Sequence, residues 1–268
     1  MRNIEFIKMH GIGNDFVVID ARTKDYDFSK DMLRYLCDRH IGIGCDQLVV
    51  IKKSSEADCF VEFYNSDGTS SGACGNASRC VAKLMIDELH KDKVVLQTLS
   101  GLLVCNKRGE LIAVNMGKPK LNWQDIPLSG SYNTLKLEIG IDGLPDAVAV
   151  NVGNPHAIFF VADVENIDVN KYGMMYENHK IFPQRANISF AQIISKNNIN
   201  LRVWERGVGI TLACGTAACA TVVAAGRLNF IDNDVTVNLP GGKLNIILEK
   251  DNVIMTGPAS ISFKGVLQ

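Results

Sequence analysis

The chain has 268 residues, 47% of them apolar, and a formal net charge of −1. That is ample material for a core in one or two domains, and the near-zero charge leaves no basic footprint for nucleic acid. No run of about 18 apolar residues exists to span a membrane, and the opening Met1-Arg2-Asn3-Ile4-Glu5 lacks the apolar region of a secretory signal, so a cytoplasmic location is expected.

Residues 4–9 and 16–20 read as strands separated by the Gly-rich stretch His10-Gly11-Ile12-Gly13-Asn14-Asp15. That stretch lacks the Lys-Ser/Thr ending and the following helix pattern of a phosphate loop, so no nucleotide site is assigned. Ser29 is a candidate N-cap for a helix running to about Arg39, with Leu33, Leu36 and Cys37 on one face, stopped at Gly42. Strands follow at 48–51 and 59–64, then the turn-rich run from Asn65 to Cys74. From Gly75 to about Leu89 a helix turns Ala77, Val81, Leu84, Met85 and Leu89 inward, and strands near 94–98, 102–105 and 111–116 complete the first half. Residues 118–146, with Pro119, Pro127, Gly130 and Pro145, have the composition of a linker. Beyond them strands are expected near 147–151, 157–161, 188–194 and 199–204, with a loop at 182–187. A helix opening at Cys214 follows, then strands at 235–239, 244–248 and 253–256.

The two halves repeat. At an offset of 140 residues Cys74-Gly75 falls on Cys214-Gly215, Gly13-Asn14 on Gly153-Asn154, Asn65 on Glu205, Gly101 on Gly241 and Gly117 on Gly257, without a gap. Strands outnumber helices and hairpin-length connections dominate, which points to an α+β chain of two homologous domains. Each would be a mixed or antiparallel sheet around one central helix.

No charged residue occurs from Gly207 to Gly226, so the helix after Cys214 is apolar on all faces and buried. A cysteine at a helix N-terminus has its thiolate favoured by the positive end of the dipole. Two such cysteines, one per domain, suggest a ligand site in the cleft between domains, where both helix ends would hold an α-carboxylate. Inverting a stereocentre needs a base on one face of the carbon and an acid on the other. Two fixed thiols supply both, and the helix ends stabilise the charge that develops on the carboxylate. The expected chemistry is therefore a two-base 1,1-proton transfer by Cys74 and Cys214, with no cofactor. Among the other cysteines there is no Cys-x-x-Cys and no zinc spacing, so neither metal nor disulfides are expected. Cys37, Cys59, Cys80, Cys105 and Cys219 read as small buried hydrophobes, and Cys45 as a loop residue of open role.

Four motifs resemble the diaminopimelate epimerase family: 9–16 (Met9-His10-Gly11-Ile12-Gly13-Asn14-Asp15-Phe16), Asn65-x-Asp67-Gly68 leading to Cys74-Gly75-Asn76-x-x-Arg79, Gly153-Asn154-Pro155-His156, and Glu205-Arg206-Gly207-Val208-Gly209 leading to Ala213-Cys214-Gly215-Thr216. The match runs in order from Met9 to about Gly257. It implies a cofactor-independent, cytoplasmic, homodimeric isomerase that converts LL-2,6-diaminopimelate to the meso form, in lysine and peptidoglycan precursor synthesis. It also implies β-barrel-like domains at 1–119, joined by the tail 260–268, and at 120–259. Substrate contacts are implied for Asn14, Gln47, Asn65, Asn154, Asn187, Glu205 and Arg206, backbone contacts for Gly75-Asn76 and Gly215-Thr216, and adjustment of the thiols for His156 and Glu205. On residues alone, His156 reads equally as a structural histidine beside a proline, Glu205-Arg206 as a surface ion pair and Gln47 as a solvated loop side chain. The chain departs from the family pattern at Ala77 and Ala217, where glycine is frequent, and at Gln184-Arg185, where an acidic residue is usual.

Three other readings compete. A proline or hydroxyproline racemase of this fold would typically carry histidine after the first Cys-Gly, where this chain has Asn76, and would lack Glu205-Arg206. A thiol-redox protein would use Cys74 and Cys214 as a disulfide. A non-catalytic amino-acid-binding domain would not need two cysteines.

Overall fold

The computed structural model describes residues 3–24, 26, 28–72, 74–141 and 143–268; Ala73, in the loop before Cys74, lies outside them. In chain order the elements are β1 (Ile4–Gly11), β2 (Asn14–Asp20), α1 (Lys30–Cys37), β3 (Gln47–Lys52), β4 (Cys59–Asn65), β5 (Ser70–Ser71), α2 (Gly75–Leu89), β6 (Lys93–Thr98), β7 (Gly101–Arg108) and β8 (Leu111–Asn115). They continue as β9 (Val148–Asn151), β10 (Pro155–Phe160), α3 (Val169–Glu177), β11 (Asn187–Ser195), β12 (Asn198–Glu205), β13 (Gly209–Ile210), α4 (Gly215–Arg227), β14 (Asp234–Leu239), β15 (Gly242–Glu249), β16 (Asn252–Gly257) and β17 (Ser260–Leu267). Two compact units result, one of Met1–Asn115 with Thr256–Gln268, the other of Met116–Met255.

In the first unit β1 pairs antiparallel with β17 and β2, and β2 runs parallel to β3. β3 is antiparallel to β4, β4 parallel to β6, and β6, β7 and β8 form a meander. A parallel neighbour needs a crossover, and each parallel step here encloses a helix: α1 lies between β2 and β3, α2 between β4 and β6. α2 packs against β1, β2, β6, β7 and β8, so the sheet curls around it. Its residues from Gly75 to Ala82, and Met85 and Ile86, are buried. Leu89, expected inside, is exposed, because the helix ends there in a left-handed cap at His90. α1 covers the other face, burying Leu33, Leu36 and Cys37 against Val17, Ile19, Leu48 and Val50, and Ser29 caps it as expected.

The second unit repeats this plan. β9 and β10 are antiparallel, β10 and β11 parallel across α3, β11 and β12 antiparallel, β12 and β14 parallel across α4, and β14 and β15 antiparallel. α4 packs on β9, β10, β11 and β15, and all its residues from Ala217 to Ala225 are buried. The chain is thus two domains of one α+β topology, each a mixed sheet around a central helix.

Three expectations change. The spacer at 10–15 is mostly strand: the hairpin turn is only Ile12 and Gly13, both at positive φ (51° and 91°), as a two-residue turn requires. The linker-like stretch is core, since Ile126, Leu128, Leu137 and Ile139 join Ala149, Phe159 and Phe190 in the second unit. Finally, α3 was not anticipated. Its residues include Val169, Asn170 and Gly173, which weaken local helix preference. Tertiary contacts supply what propensity lacks, with Asp168 capping the Lys171 N–H and Val169, Gly173 and Tyr176 buried.

Gly173 is required by close approach, because a Cβ there would lie 2.5 Å from the Trp204 ring. Gly173→Ala should therefore destabilise by about 1–3 kcal/mol through overpacking, read as a lower urea midpoint for the second unit. A pH effect comes from Asp15 in the first unit. Burial alone would raise its pKa, but Arg39 and Lys8 overcome that and hold it at about 2 rather than 3.8. With the folded value below the unfolded one, this contribution, on the order of 2 kcal/mol, is present above about pH 4. It is lost as pH falls toward 2. Asp15→Asn should lower stability at pH 7 and flatten the acid limb of a stability-against-pH curve; an unchanged limb would disprove the ion pair's contribution.

Candidate functional site

Cys74 and Cys214 each occupy the N-cap position of the central helix of their unit, in extended conformation (φ −143° and −129°), and neither side chain makes a capping hydrogen bond. The first-turn N–H groups of a helix have no partner within it, and neither first turn contains an acidic side chain. Each cysteine therefore stands at the positive end of a buried helix.

In the first unit, α2 and the β1–β2 hairpin bring Asn76 and Asn14 together: Asn76 Nδ2 donates to Asn14 Oδ1 at 3.1 Å, and Arg79 Nη1 to Asn76 Oδ1 at 2.9 Å. Asn14 Nδ2 donates to Asp46 Oδ2 at 2.8 Å. A relay of fixed amides thus runs from the buried Arg79 to Asp46. Gln47 and Asn65 are register partners on β3 and β4, and Gln47 Nε2 donates to Asn65 Oδ1 at 2.9 Å. Asn65 Nδ2 in turn donates to Thr69 Oγ1 at 3.0 Å. Gln47 is therefore the first residue of a strand, not a solvated loop side chain. Arg79 stands in the Cys74 motif but was given no site role, and Asp46 was not singled out; the fold joins them to Asn76 and Asn14.

In the second unit, Asn154 immediately precedes β10 and His156 is its second residue, and His156 Nε2 meets Asn154 Oδ1 at 2.8 Å. His156 is fully buried, its Nδ1 has no hydrogen-bond partner among the described residues, and burial, with the nearby Arg206 charge, pushes its pKa down to about 3. The imidazole is neutral, so any influence on a thiol acts through its dipole rather than a positive charge. Asn187 is the register neighbour of His156. Its Nδ2 donates to the Pro155 carbonyl at 3.1 Å and its Oδ1 accepts the Arg206 N–H at 3.0 Å. Arg206 Nη1 donates to Gln184 O at 2.9 Å. Burial and then Arg185 lower the Arg206 pKa, and among the described residues it has no carboxylate within ion-pair distance. A half-buried guanidinium of this kind is suited to an incoming carboxylate.

Cys214 Sγ lies 3.5 Å from Thr216 Oγ1, and the Glu205 carboxylate stands close enough to act on the same thiol. Thr211 Oγ1 holds Glu205 Oε1 at 2.5 Å. Burial, then the Glu205 charge, push the Cys214 thiol well above its ordinary pKa, against a smaller opposing pull from Thr216 and the backbone at Ala217. The helix end, which favours a thiolate by about 0.3–1 kcal/mol, is outweighed here by desolvation and by Glu205, the residue that the resemblance implies adjusts the thiols. Glu177 was also missed. Its buried carboxylate accepts from Trp204 Nε1 (2.6 Å), the Gly207 N–H (2.8 Å) and Arg185 Nη1 (3.0 Å), so it anchors the loop that carries Glu205 and Arg206. The unusual Arg185 is accommodated at φ 58° by that ion pair.

A family model described as diaminopimelate epimerase matches residues 6–122 and 148–262. The chain is 48% identical to the diaminopimelate epimerase of Gluconobacter oxydans, covering 98% of each protein. It is 47% identical to that of Pelagibacter ubique, covering 96% of each, and 46% identical to that of Rhodospirillum centenum, covering 98% of this chain and 91% of that protein. Among solved structures, a hydroxyproline epimerase from Agrobacterium vitis superposes with a TM-score of 0.73 at 13% identity, covering 99% of this chain and 92% of that one. A phenazine biosynthesis protein of the PhzF family from Bacillus anthracis gives 0.72 at 15% identity, covering 100% of both. Those two share the fold. With the family model covering both halves and relatives above 40% identity along nearly the whole length, this chain belongs to the diaminopimelate epimerase family.

Proposed function

We propose that this chain is a cofactor-independent epimerase interconverting LL- and meso-2,6-diaminopimelate, with Cys74 and Cys214 as its two bases. The observation that carries the reading is one cysteine at the N-cap of each central helix, in units of identical topology. A two-base transfer requires one sulfur on each face of the α-carbon. In one direction the Cys74 thiolate takes the α-proton and the C–H electron pair passes into the carboxylate. Backbone N–H groups at Gly75-Asn76 and Gly215-Thr216 are assigned to that carboxylate, since helix ends favour anions. The Cys214 thiol then delivers a proton to the opposite face. Burial and Glu205 keep Cys214 protonated at rest, so it begins as the acid. His156, held by Asn154, stays in this reading as a neutral imidazole assigned to tuning a thiol.

The far amino-acid group of the substrate is assigned to Arg206 for its carboxylate and to Glu205 and the amides Asn14, Gln47, Asn65, Asn154 and Asn187 for ammonium and orientation. The halves of the epimerase are read as 1–119 with 260–268, and 120–259. The small-molecule substrate, homodimeric assembly and cytoplasmic location follow from the family resemblance. No helix among the described residues is long and apolar enough to cross a membrane.

Reduced protein incubated with LL-diaminopimelate in deuterated water should incorporate α-deuterium without added cofactor. Cys74→Ala and Cys214→Ala should each lower turnover by roughly 10²–10⁴-fold, the range for removing a positioned acid or base; full activity in either variant, or turnover of proline instead, would overturn the proposal. A pH profile supplies a second test. Because the Cys214 thiol is held high, the direction that starts with Cys214 as base should speed up as pH rises. Glu205→Gln removes the charge that keeps the proton on, so this rise should move to lower pH; a profile shifted upward, or not at all, would contradict the assigned role.

A further inference from the structure

A second pair of thiols lies outside the chemistry described so far. Cys37 ends α1, and Cys45 sits in the loop that leads to β3. Their sulfurs are 3.5 Å apart, with the Cys45 S–H directed at Cys37 Sγ. Both are free thiols, only 3% and 2% exposed, in the apolar cluster with Ile4, Leu33, Leu36 and Leu48. The backbones are also joined, the Cys45 N–H donating to the Cys37 carbonyl at 3.1 Å. Such a link keeps the two Cα atoms at roughly the 5–6 Å separation that a disulfide spans, and the sulfurs need approach by only about 1.5 Å to bond.

The surroundings make the two sulfurs unequal. Lys8 lies alongside, its ammonium donating to the Gly44 carbonyl and pairing with Asp15. The Cys45 S–H hydrogen bond lowers the Cys37 pKa, and the Lys8 and Arg39 charges add to this, against burial and Asp15. The same contact pushes Cys45 up. Cys37 is the better nucleophile and Cys45 the partner placed to resolve it. By contrast, burial pushes Cys59, Cys80 and Cys105 up to about 12, which leaves them inert. The connecting loop lies at the surface, with Ile41 68% exposed, so a small oxidant needs only a local opening to enter.

We propose that Cys37 and Cys45 form an oxidation site that hydrogen peroxide closes to an intramolecular disulfide. The Cys37 thiolate attacks one peroxide oxygen, the O–O bond breaks, and the departing oxygen takes up a proton as water. The Cys45 sulfur then displaces hydroxide from the sulfenic acid, and its own proton completes the second water. Two thiols lose two electrons and one peroxide becomes two waters. The contraction falls on residues 38–46, because Cys37 is fixed in α1. That segment ends at Asp46, which holds the Asn14 amide and Arg39.

Peptide mapping of the intact wild-type protein tests this directly. Trypsin cuts after Arg34, Arg39 and Lys52, placing Cys37 in peptide 35–39 and Cys45 in peptide 40–52. After peroxide treatment, alkylation and digestion without reductant, these peptides should appear joined, about 2 Da lighter than their sum, and separate on adding dithiothreitol. In Cys45→Ala the joined species should vanish and a sulfenic-acid trap should label Cys37. Recovery of both peptides as alkylated thiols while Cys74 or Cys214 has reacted would overturn the proposal. So would Cys37 joined to any cysteine other than Cys45.

Discussion

A helix N-terminus attracts anions, whereas a thiolate in a buried place loses its hydration, and the structure depends on how these two effects balance at the two N-cap cysteines. At Cys214 desolvation wins: the residue is 4% exposed and a carboxylate stands beside it, so the proton stays on. The helix end is then left to act, in the proposed reaction, on a substrate carboxylate rather than on the protein's own sulfur. That division suits proton transfer at a carbon acid, where charge must be stabilised as it develops and not before.

The sheet serves this arrangement through its crossovers. A parallel step cannot be made by a tight turn, so each unit must return its chain through a helix between β4 and β6, or between β12 and β14. The returning helix starts where the preceding strand and its loop end. Asn65 or Glu205, at the end of that strand, and the N-cap cysteine are thus delivered by the two ends of one loop, which carries only the two-residue strand β5 or β13.

Much of this was legible in residues. Glycines and cysteines at a fixed offset reveal the duplication, and a run without charge identifies α4 as buried. Gln47, Asn65 and Asn187 could be named only from resemblance, because their partners are set by strand register. The helix α3 escaped local reading since Gly173 and Val169 argue against it. Applying the offset to α1, however, would have placed a helix at residues 170–177, and the structure has one at Val169–Glu177. Glu177 itself left no mark in the sequence, because its three donors come from Arg185, Trp204 and Gly207 and converge only on folding. The run at 118–146 misled for the opposite reason. Its prolines and glycines are those of a linker, yet Ile126, Leu128, Leu137 and Ile139 are spaced along it to plug a core.

Duplication has a consequence for stereochemistry. Under the same offset Asn14 corresponds to Asn154, Gln47 to Asn187, Asn65 to Glu205, and Asn76 to Thr216. Each unit thus carries a nearly matched set of polar groups, and in the proposed reaction such matching treats left- and right-handed configurations alike, as a reversible inversion demands. The chief break in the pairing is electrical: a neutral amide in one copy stands where the other carries a carboxylate. That inequality leaves the equilibrium between stereoisomers untouched, since a catalyst lowers both barriers alike. In the proposed mechanism it sets instead in which half the mobile proton waits between turnovers.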